Sequence, residues 1–145
     1  MKYSTKLSDA VHILIFIAVN PDYDLSSASI AKSVKTNPAF VRQIMMKLKS
    51  AGLIESVVGH AKPTLAKQPE RISLLDVYKA VEGDKPLLHL DTHVNPECGV
   101  GINIQLALED YYKEIQKTTE NHMAQITMRD IIDSYNKKIE NFPLD

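Results

Sequence analysis

The 145-residue chain is 44% hydrophobic, which suits one domain or a small domain with a dimerising extension, and its single cysteine excludes an intramolecular disulfide framework. The net charge of -1 conceals an asymmetry, because residues 1–82 hold eleven Lys or Arg against seven Asp or Glu, whereas residues 83–145 hold six against eleven. This split suggests a basic half that meets a polyanion, although differences of this size also arise by chance.

The first predicted helix begins after Ser8, a good N-cap residue, and runs to about Val19. Lys2 and Lys6 precede its apolar run and imitate a signal peptide. However, Asp9 interrupts the pattern, no small-x-small cleavage site follows, and the run is too short to span a bilayer. We therefore expect a cytoplasmic protein with a buried first helix and no membrane partner.

Two short helices joined by a tight turn come next. Ser26 or Ser27 caps the segment SASIAKSV, and Asn37 with Pro38 opens PAFVRQIMMKLKS, which ends at the C-cap glycine Gly52. The β-rich run LIESVV, a turn and TLA then predict a small hairpin. Helix, turn, helix and hairpin in this order indicate a winged helix-turn-helix, a unit that places its second helix in the DNA major groove.

The second helix of this unit has two distinct faces. At about 100° per residue its larger apolar residues fall within one arc, which we expect to face the core. Gln43 on the other side suits an adenine edge, and Arg42 can reach a guanine or a phosphate. The residues that this pattern predicts to contact DNA are Ala39, Arg42, Gln43, Met46 and Lys47. A helical hairpin without a nucleic-acid role remains the alternative.

Ser73 and Asp76 form a capping box for the next helix, which Gly83 ends. Residues 84–101 show little periodicity and are predicted to be a loop. A long helix follows from about Ile102, and a second capping box at Thr127 opens a last helix. The chain thus divides into a winged helix-turn-helix domain at 1–83, a loop at 84–101 and a dimerising part at 102–145.

Three segments resemble the Rrf2 type of bacterial transcription regulators: MKYSTKLSDAVHIL, SSASIAKSVKTNPAFVRQIMMKLKSAGLIESVVG and LAKQPERISLLDVYKAVEG. That family includes the iron-sulfur cluster regulator, the nitric-oxide-sensing repressor and the cysteine-metabolism repressor. The resemblance implies a mainly α-helical fold with a small β wing, and a homodimer that binds a near-palindromic operator in double-stranded DNA. It also implies that a long helix at about 102–121 crosses onto the partner subunit.

The resemblance places the recognition helix at 37–47 and the wing tip at 59–64. Asn37 belongs to this recognition helix, and Ser27 is a further expected DNA contact. Many members carry an arginine and a glycine-rich wing tip, whereas this chain has Val58 and HAKP, so His60 and Lys62 supply the charge. The apolar side of the long helix fits a subunit interface, although core packing would use the same residues: Ile104, Leu108, Tyr111 and Ile115.

Sensing members of the family hold an iron-sulfur cluster through three cysteines in the loop before the long helix, where VNPECGVG lies. One cysteine is too few for such a cluster, so we expect no cofactor. His89, His93 and Cys98 are weak candidates for a metal site. If the long helix begins just after Cys98, its amides would favour a reactive thiolate, which Glu97 would oppose. A redox-sensing thiol and inert filler both remain open.

Enzyme motifs are missing from the sequence, since it has no Gly-rich phosphate loop, no G-x-S-x-G elbow and no H-E-x-x-H. We expect a dimeric, sequence-specific DNA-binding transcription regulator that acts as a repressor, with a possible response to oxidants or electrophiles through Cys98. Two alternatives remain. One is a winged-helix module that binds a partner protein, and the other is a regulator that responds to a small molecule beneath the long helix.

Overall fold

The computed structural model of the chain describes residues 4–56 and 62–141. These residues form mainly helices, with one small antiparallel sheet, as the sequence predicted. The elements in chain order are α1 (Lys6–Val19), α2 (Ser27–Val34), α3 (Pro38–Ser50), β1 (Ile54–Glu55), β2 (Thr64–Leu65), a 3-10 helix (Pro69–Arg71), α4 (Leu74–Glu82), α5 (Gly99–Gln125) and α6 (Met128–Asn141).

The start of α1 differs from the prediction. Thr5 occupies the N-cap position rather than Ser8, which lies exposed inside the helix. The Asp9 backbone N–H donates to the Thr5 carbonyl at 2.9 Å, and the Thr5 hydroxyl donates to the Asp9 carboxylate at 3.3 Å. The negative charge of Asp9 in the first turn also interacts favourably with the N-terminal end of the helix dipole. The helix therefore begins one turn earlier than predicted from Ser8 alone.

Local side-chain bonds define the two helices of the helix-turn-helix as predicted. The Ser26 hydroxyl caps α2 by accepting from the Ser29 N–H at 3.2 Å, and the side-chain oxygen Oδ1 of Asn37 caps α3 by accepting from the Phe40 N–H at 2.8 Å. In the turn between them, Lys35 adopts the left-handed conformation with φ 64°. The caps at Ser26 and Asn37 each accept from a backbone amide that has no partner within its own helix.

The wing hairpin follows directly on the end of α3. Gly52 has φ 75°, a conformation that suits glycine, and it turns the chain into β1. The two strands are antiparallel, with Ile54 opposite Leu65. Lys62, two residues before β2, is among the described residues. The predicted wing residues Val58, Gly59 and His60 lie outside them.

The long helix begins at Gly99, three residues before the predicted start, so the loop after α4 spans 84–98 rather than 84–101. The Ile102 N–H donates to the Cys98 carbonyl at 3.1 Å, which closes the first turn. Glycine at positions 99 and 101 had suggested a loop, but Cys98 caps the helix and allows it to include them. The capping box at Ser73 and the one at Thr127 form as predicted.

One hydrophobic core joins the helix-turn-helix to the end of the chain. Met128 and Ile132 of α6 are buried in the same cluster as the apolar residues of α1 and α3. The Leu74 N–H donates to the Ile126 carbonyl at 2.7 Å, and the Met128 N–H donates to the Ile72 carbonyl at 2.8 Å. Thus α6 packs against the winged-helix unit of its own chain, after α5 has run along α4.

No helix in the described part of the chain is long and apolar enough to cross a membrane.

Candidate nucleic-acid interface

The two faces of α3 differ sharply in exposure. Val41, Ile44 and Leu48 are buried in the core, and Met45 is half-buried at its edge. All five residues of α3 that the sequence predicted to contact DNA are exposed: Ala39, Arg42, Gln43, Met46 and Lys47. The helix therefore presents a surface of small, amide and cationic side chains, which could fit a major groove.

Exposed cationic side chains occur on α3 and on the helix and turn that precede it. Lys32 and Lys35 of the preceding helix and turn are exposed, and so is Arg42. None of these three side chains takes part in an ion pair found within residues 4–56 and 62–141. Their charges are therefore available to phosphate oxygens of a nucleic acid.

Two lysines of α3 also hold the helix in place. The Lys47 ammonium donates to the Val81 carbonyl at the end of α4, at 3.4 Å, and the Lys49 ammonium donates to the Ser56 carbonyl at 3.1 Å. An ammonium has three donors, so Lys47 keeps capacity for a second acceptor. Sequence reasoning missed this role of Lys49, whose only signal was a basic residue in the last turn, where the helix dipole favours it.

The remaining predicted contacts lie at the ends of the helices. Ser27 is half-buried in the first turn of α2. Asn37 is exposed, and its side-chain oxygen Oδ1 already accepts the α3 capping bond. Lys62 is exposed beside Pro63, which is buried. His60 lies outside the described residues.

Cys98 is exposed and occupies the N-cap position of α5. Its sulfur accepts from the Gly101 N–H at 3.4 Å, a weak capping contact. The two candidate histidines are exposed elsewhere on the loop, and the ring nitrogen Nδ1 of His93 lies 3.5 Å from the Asp91 carboxylate. Among the described residues, no three His, Cys, Asp or Glu side chains are grouped so that they could hold a metal ion.

The long helix carries an apolar stripe on one side, and α5 buries none of its 27 residues in the described structure. Within the stripe, Ile104, Tyr111 and Ile115 are 57%, 65% and 46% exposed, and Leu108 is half-buried. Val100, which is 70% exposed, extends the stripe by one turn, and the sequence prediction missed it because it treated this turn as loop. An exposed apolar surface of this extent is typical of an interface.

The other side of α5 packs on the winged-helix unit. The Lys79 ammonium lies 3.3 Å from the Glu120 carboxylate, and the Gln116 amide donates to the Tyr78 hydroxyl at 3.5 Å. The Gln116 amide also donates to Glu120 at 3.1 Å. These bonds hold the pKa of Glu120 below its usual range, first through Gln116 and then through Lys79.

Comparison with known proteins gives consistent results. The family model Rrf2, described as an iron-dependent transcriptional regulator, matches residues 3–134. YwnA of Bacillus subtilis, a candidate HTH-type transcriptional regulator, is 38% identical over 89% of this chain and 96% of its own. The crystal structure of a candidate DNA-binding protein is 38% identical and superposes with a TM-score of 0.72 over 88% of this chain and 98% of that one.

More distant structures share the fold. CymR, the global cysteine regulator of B. subtilis, is 22% identical and has a TM-score of 0.65 over 92% of this chain and 97% of its own.

Proposed function

The chain belongs to the Rrf2 family of transcriptional regulators, and on this premise we propose that it binds double-stranded operator DNA sequence-specifically, as a homodimer. The family and the relatives are regulators rather than enzymes. The observation that carries the proposal is the outer face of α3, where Arg42, Gln43 and Met46 are exposed, with Lys32 and Lys35 exposed on the preceding helix and turn. We further propose that the protein acts in the cytoplasm, as a repressor.

In the proposed complex α3 lies in the major groove. Gln43 hydrogen-bonds an adenine edge, and Arg42 contacts a guanine or a phosphate. Lys32 and Lys35 contact the phosphates that flank the groove, and Lys62 contacts phosphate from the wing. Ala39 leaves room for the bases to approach. The cap at Asn37 supports this arrangement, because it fixes where α3 begins and therefore which side chains enter the groove.

The dimer forms through the apolar stripe of α5, defined by Val100, Ile104, Leu108, Tyr111 and Ile115. Pairing two stripes removes exposed apolar surface from water in both subunits. A two-fold dimer would present two copies of α3 to half-sites about 34 Å apart, which is one turn of DNA. The operator is then near-palindromic, and repression follows if it overlaps a promoter.

The matching family is described as iron-dependent, but this chain offers few side chains that could bind an iron-sulfur cluster. A cysteine-ligated iron-sulfur cluster needs several thiolates, and the whole sequence contains one cysteine. In the described structure Cys98 faces the first turn of α5, and the loop histidines do not group with it. These residues do not fit such a cluster, and we propose that the protein regulates transcription without one.

The remaining thiol offers a different signal. Cys98 is exposed at the start of the dimerisation helix, where a peroxide can reach it. Its thiolate would attack one oxygen of hydrogen peroxide and break the O–O bond, leaving a sulfenic acid on the protein and releasing hydroxide, which takes a proton from the solvent to become water. We propose that this modification alters the first turn of α5, which carries Val100 of the stripe, and so lowers operator affinity.

The experiment that tests DNA binding is selection of bound sequences from a pool of random duplexes. The proposal predicts enrichment of a near-palindromic sequence with two half-sites spaced by about one helical turn. A pool that stays random after several rounds would overturn it and would favour the alternative, a winged-helix module that binds a partner protein.

A further inference from the structure

A cavity of about 600 Å³ lies between the loop after α4 and the side of α5 that faces away from the apolar stripe. Its walls are largely apolar: Leu75 comes from α4, Leu88 and Leu90 come from the loop, and Tyr112 comes from α5. Cavities of this size hold small organic molecules in other proteins. The cavity is therefore a candidate ligand site, separate from the DNA-facing surface.

The loop that forms the outer wall is tied down where it leaves α4. The Tyr78 hydroxyl donates to the Lys85 carbonyl at 2.7 Å, and the Leu87 N–H donates to the Gln116 side-chain oxygen at 2.9 Å. Since Gln116 itself lines the cavity, these bonds fix the wall relative to both α4 and α5. The site is thus formed in the free protein, which lowers the cost of binding.

The rim of the cavity holds two lysines and two glutamates, and they differ in their ion pairs. Glu109 lies 2.9 Å from the Lys113 ammonium, and this contact raises the pKa of Lys113. Glu120 is likewise neutralised by Lys79 outside the cavity lining. Lys117 also lines the cavity, and none of the ion pairs found in the described residues includes it. An anionic group at the rim would therefore meet the Lys117 ammonium above an apolar floor.

We propose that this cavity binds a small amphipathic carboxylate, with its apolar body against Leu88, Leu90 and Tyr112 and its carboxylate at Lys117. The ligand would contact α4, the loop and α5 together. The ligand's regulatory role rests on the proposed function: the bound ligand would bias the position of the dimerisation helix relative to the winged-helix unit and so change operator affinity.

The proposed ligand and the proposed dimer partner occupy different sides of α5. Lys117 and Ile115 are two residues apart, which places them about 160° from one another around the helix axis. Ligand binding therefore leaves the apolar stripe free, and it can be measured on the dimer without DNA.

The test uses the full chain and three eight-carbon probes: sodium octanoate, octylammonium chloride and 1-octanol. Binding is followed by amide chemical shifts in NMR titrations. We expect octanoate to bind at least about tenfold more tightly than octylammonium, with shifts concentrated at the loop and the middle of α5. Equal affinity for all three probes, absence of binding, or shifts located elsewhere would overturn the proposal.

Two variants and a matched control locate the site. Lys117→Glu should weaken octanoate binding by about tenfold and narrow the difference between octanoate and octylammonium. Leu90→Asp should remove binding of all three probes. Lys137→Glu makes the same change of charge on an exposed residue of α6. It should change neither the affinity for octanoate nor the preference for octanoate over octylammonium. Thermal melts of each variant establish that it is folded, and a folded Lys117→Glu protein that keeps full octanoate preference contradicts the proposal.

Regulation is measured separately, as operator affinity with and without saturating octanoate. A change of threefold or more supports the regulatory role, and no change overturns that role while leaving the ligand site standing. If the chain binds no DNA at all, the proposed function fails, whereas the NMR result on the free protein is unaffected.

Discussion

Ile104 and Leu106 lie two residues apart on α5 and are almost equally exposed, at 57% and 55%, yet they point to different sides of the helix. Ile104 belongs to the apolar stripe with Leu108, Tyr111 and Ile115, whereas Leu106 stands about 160° away around the helix axis. Substituting each residue in turn therefore distinguishes a role in a subunit interface from the effect of adding a charge to the surface of the helix.

The dimer is therefore tested with Ile104→Glu and its control Leu106→Glu. We expect the first substitution to weaken dimerisation at least tenfold, because it places a charge in each half of a desolvated interface. The second should leave the dimer intact. Sedimentation equilibrium gives the dimer dissociation constant of each variant. Equal dissociation constants for the two variants would rule out the stripe as the interface.

The turn after α3 depends on glycine. Gly52 has φ 75°, a conformation that costs other residues about 1–2 kcal/mol. Gly52→Ala should therefore lower the free energy of unfolding by roughly this amount. Gly99→Ala is the matched control, since an added Cβ meets nothing within 4 Å at either position and Gly99 lies in the first turn of α5. Urea denaturation should show an unchanged or slightly higher stability for Gly99→Ala.

Glu120 links the long helix to α4, and its environment makes a prediction about pH. Its pKa is lowered by hydrogen bonds from Gln116 and then Lys79. A carboxyl whose pKa is lower in the folded protein stabilises the fold above its ordinary pKa, and this contribution disappears as the pH falls through the lowered value. NMR titration should show that Gln116→Leu raises the pKa of Glu120 more than Lys79→Met does. An unchanged pKa in both variants would contradict the observed bonding.

Oxidation of Cys98 should lower operator affinity. Serine is a good N-cap, so Cys98→Ser should keep α5 and its stability unchanged while removing the thiol. We expect hydrogen peroxide to weaken operator binding by the native protein and to have no effect on Cys98→Ser, measured by fluorescence anisotropy. The same peroxide response in both proteins would show that the thiol is not the sensor.

Most of the helix-turn-helix was predictable because its boundaries are local. Ser26, Asn37 and Gly52 act through bonds or dihedral angles within a few residues. The sequence pattern predicted Asn37 and Gly52, and it placed the first cap at Ser26 or Ser27. The predicted start of α1 was wrong because Ser8 was chosen as the cap, whereas the helix begins one turn earlier, where Thr5 and Asp9 bond to each other. The start of α5 was wrong because glycines were treated as breakers, although a cap at Cys98 precedes them.

Several features that sequence reasoning missed join distant parts of the chain. Lys47 and Val81 are 34 residues apart, and Leu87 and Gln116 are 29 apart. No local pattern indicates which carbonyl a lysine reaches or which loop amide meets a glutamine. The cavity beside Lys117 follows from those long-range contacts, so the sequence could suggest a pocket beneath the long helix but could not give its lining.

The most direct test of the account is the affinity for the selected operator as a function of salt concentration, for the native protein and for Gln43→Ala. We predict that log affinity falls linearly with log salt, with a slope of about -0.9 per phosphate contact. Gln43→Ala should lose about 1–3 kcal/mol on the selected sequence, keep the salt slope, and bind scrambled DNA as the native protein does. Equal affinity for selected and scrambled duplexes, or an affinity that does not change with salt, would contradict the proposal that this chain reads DNA through α3.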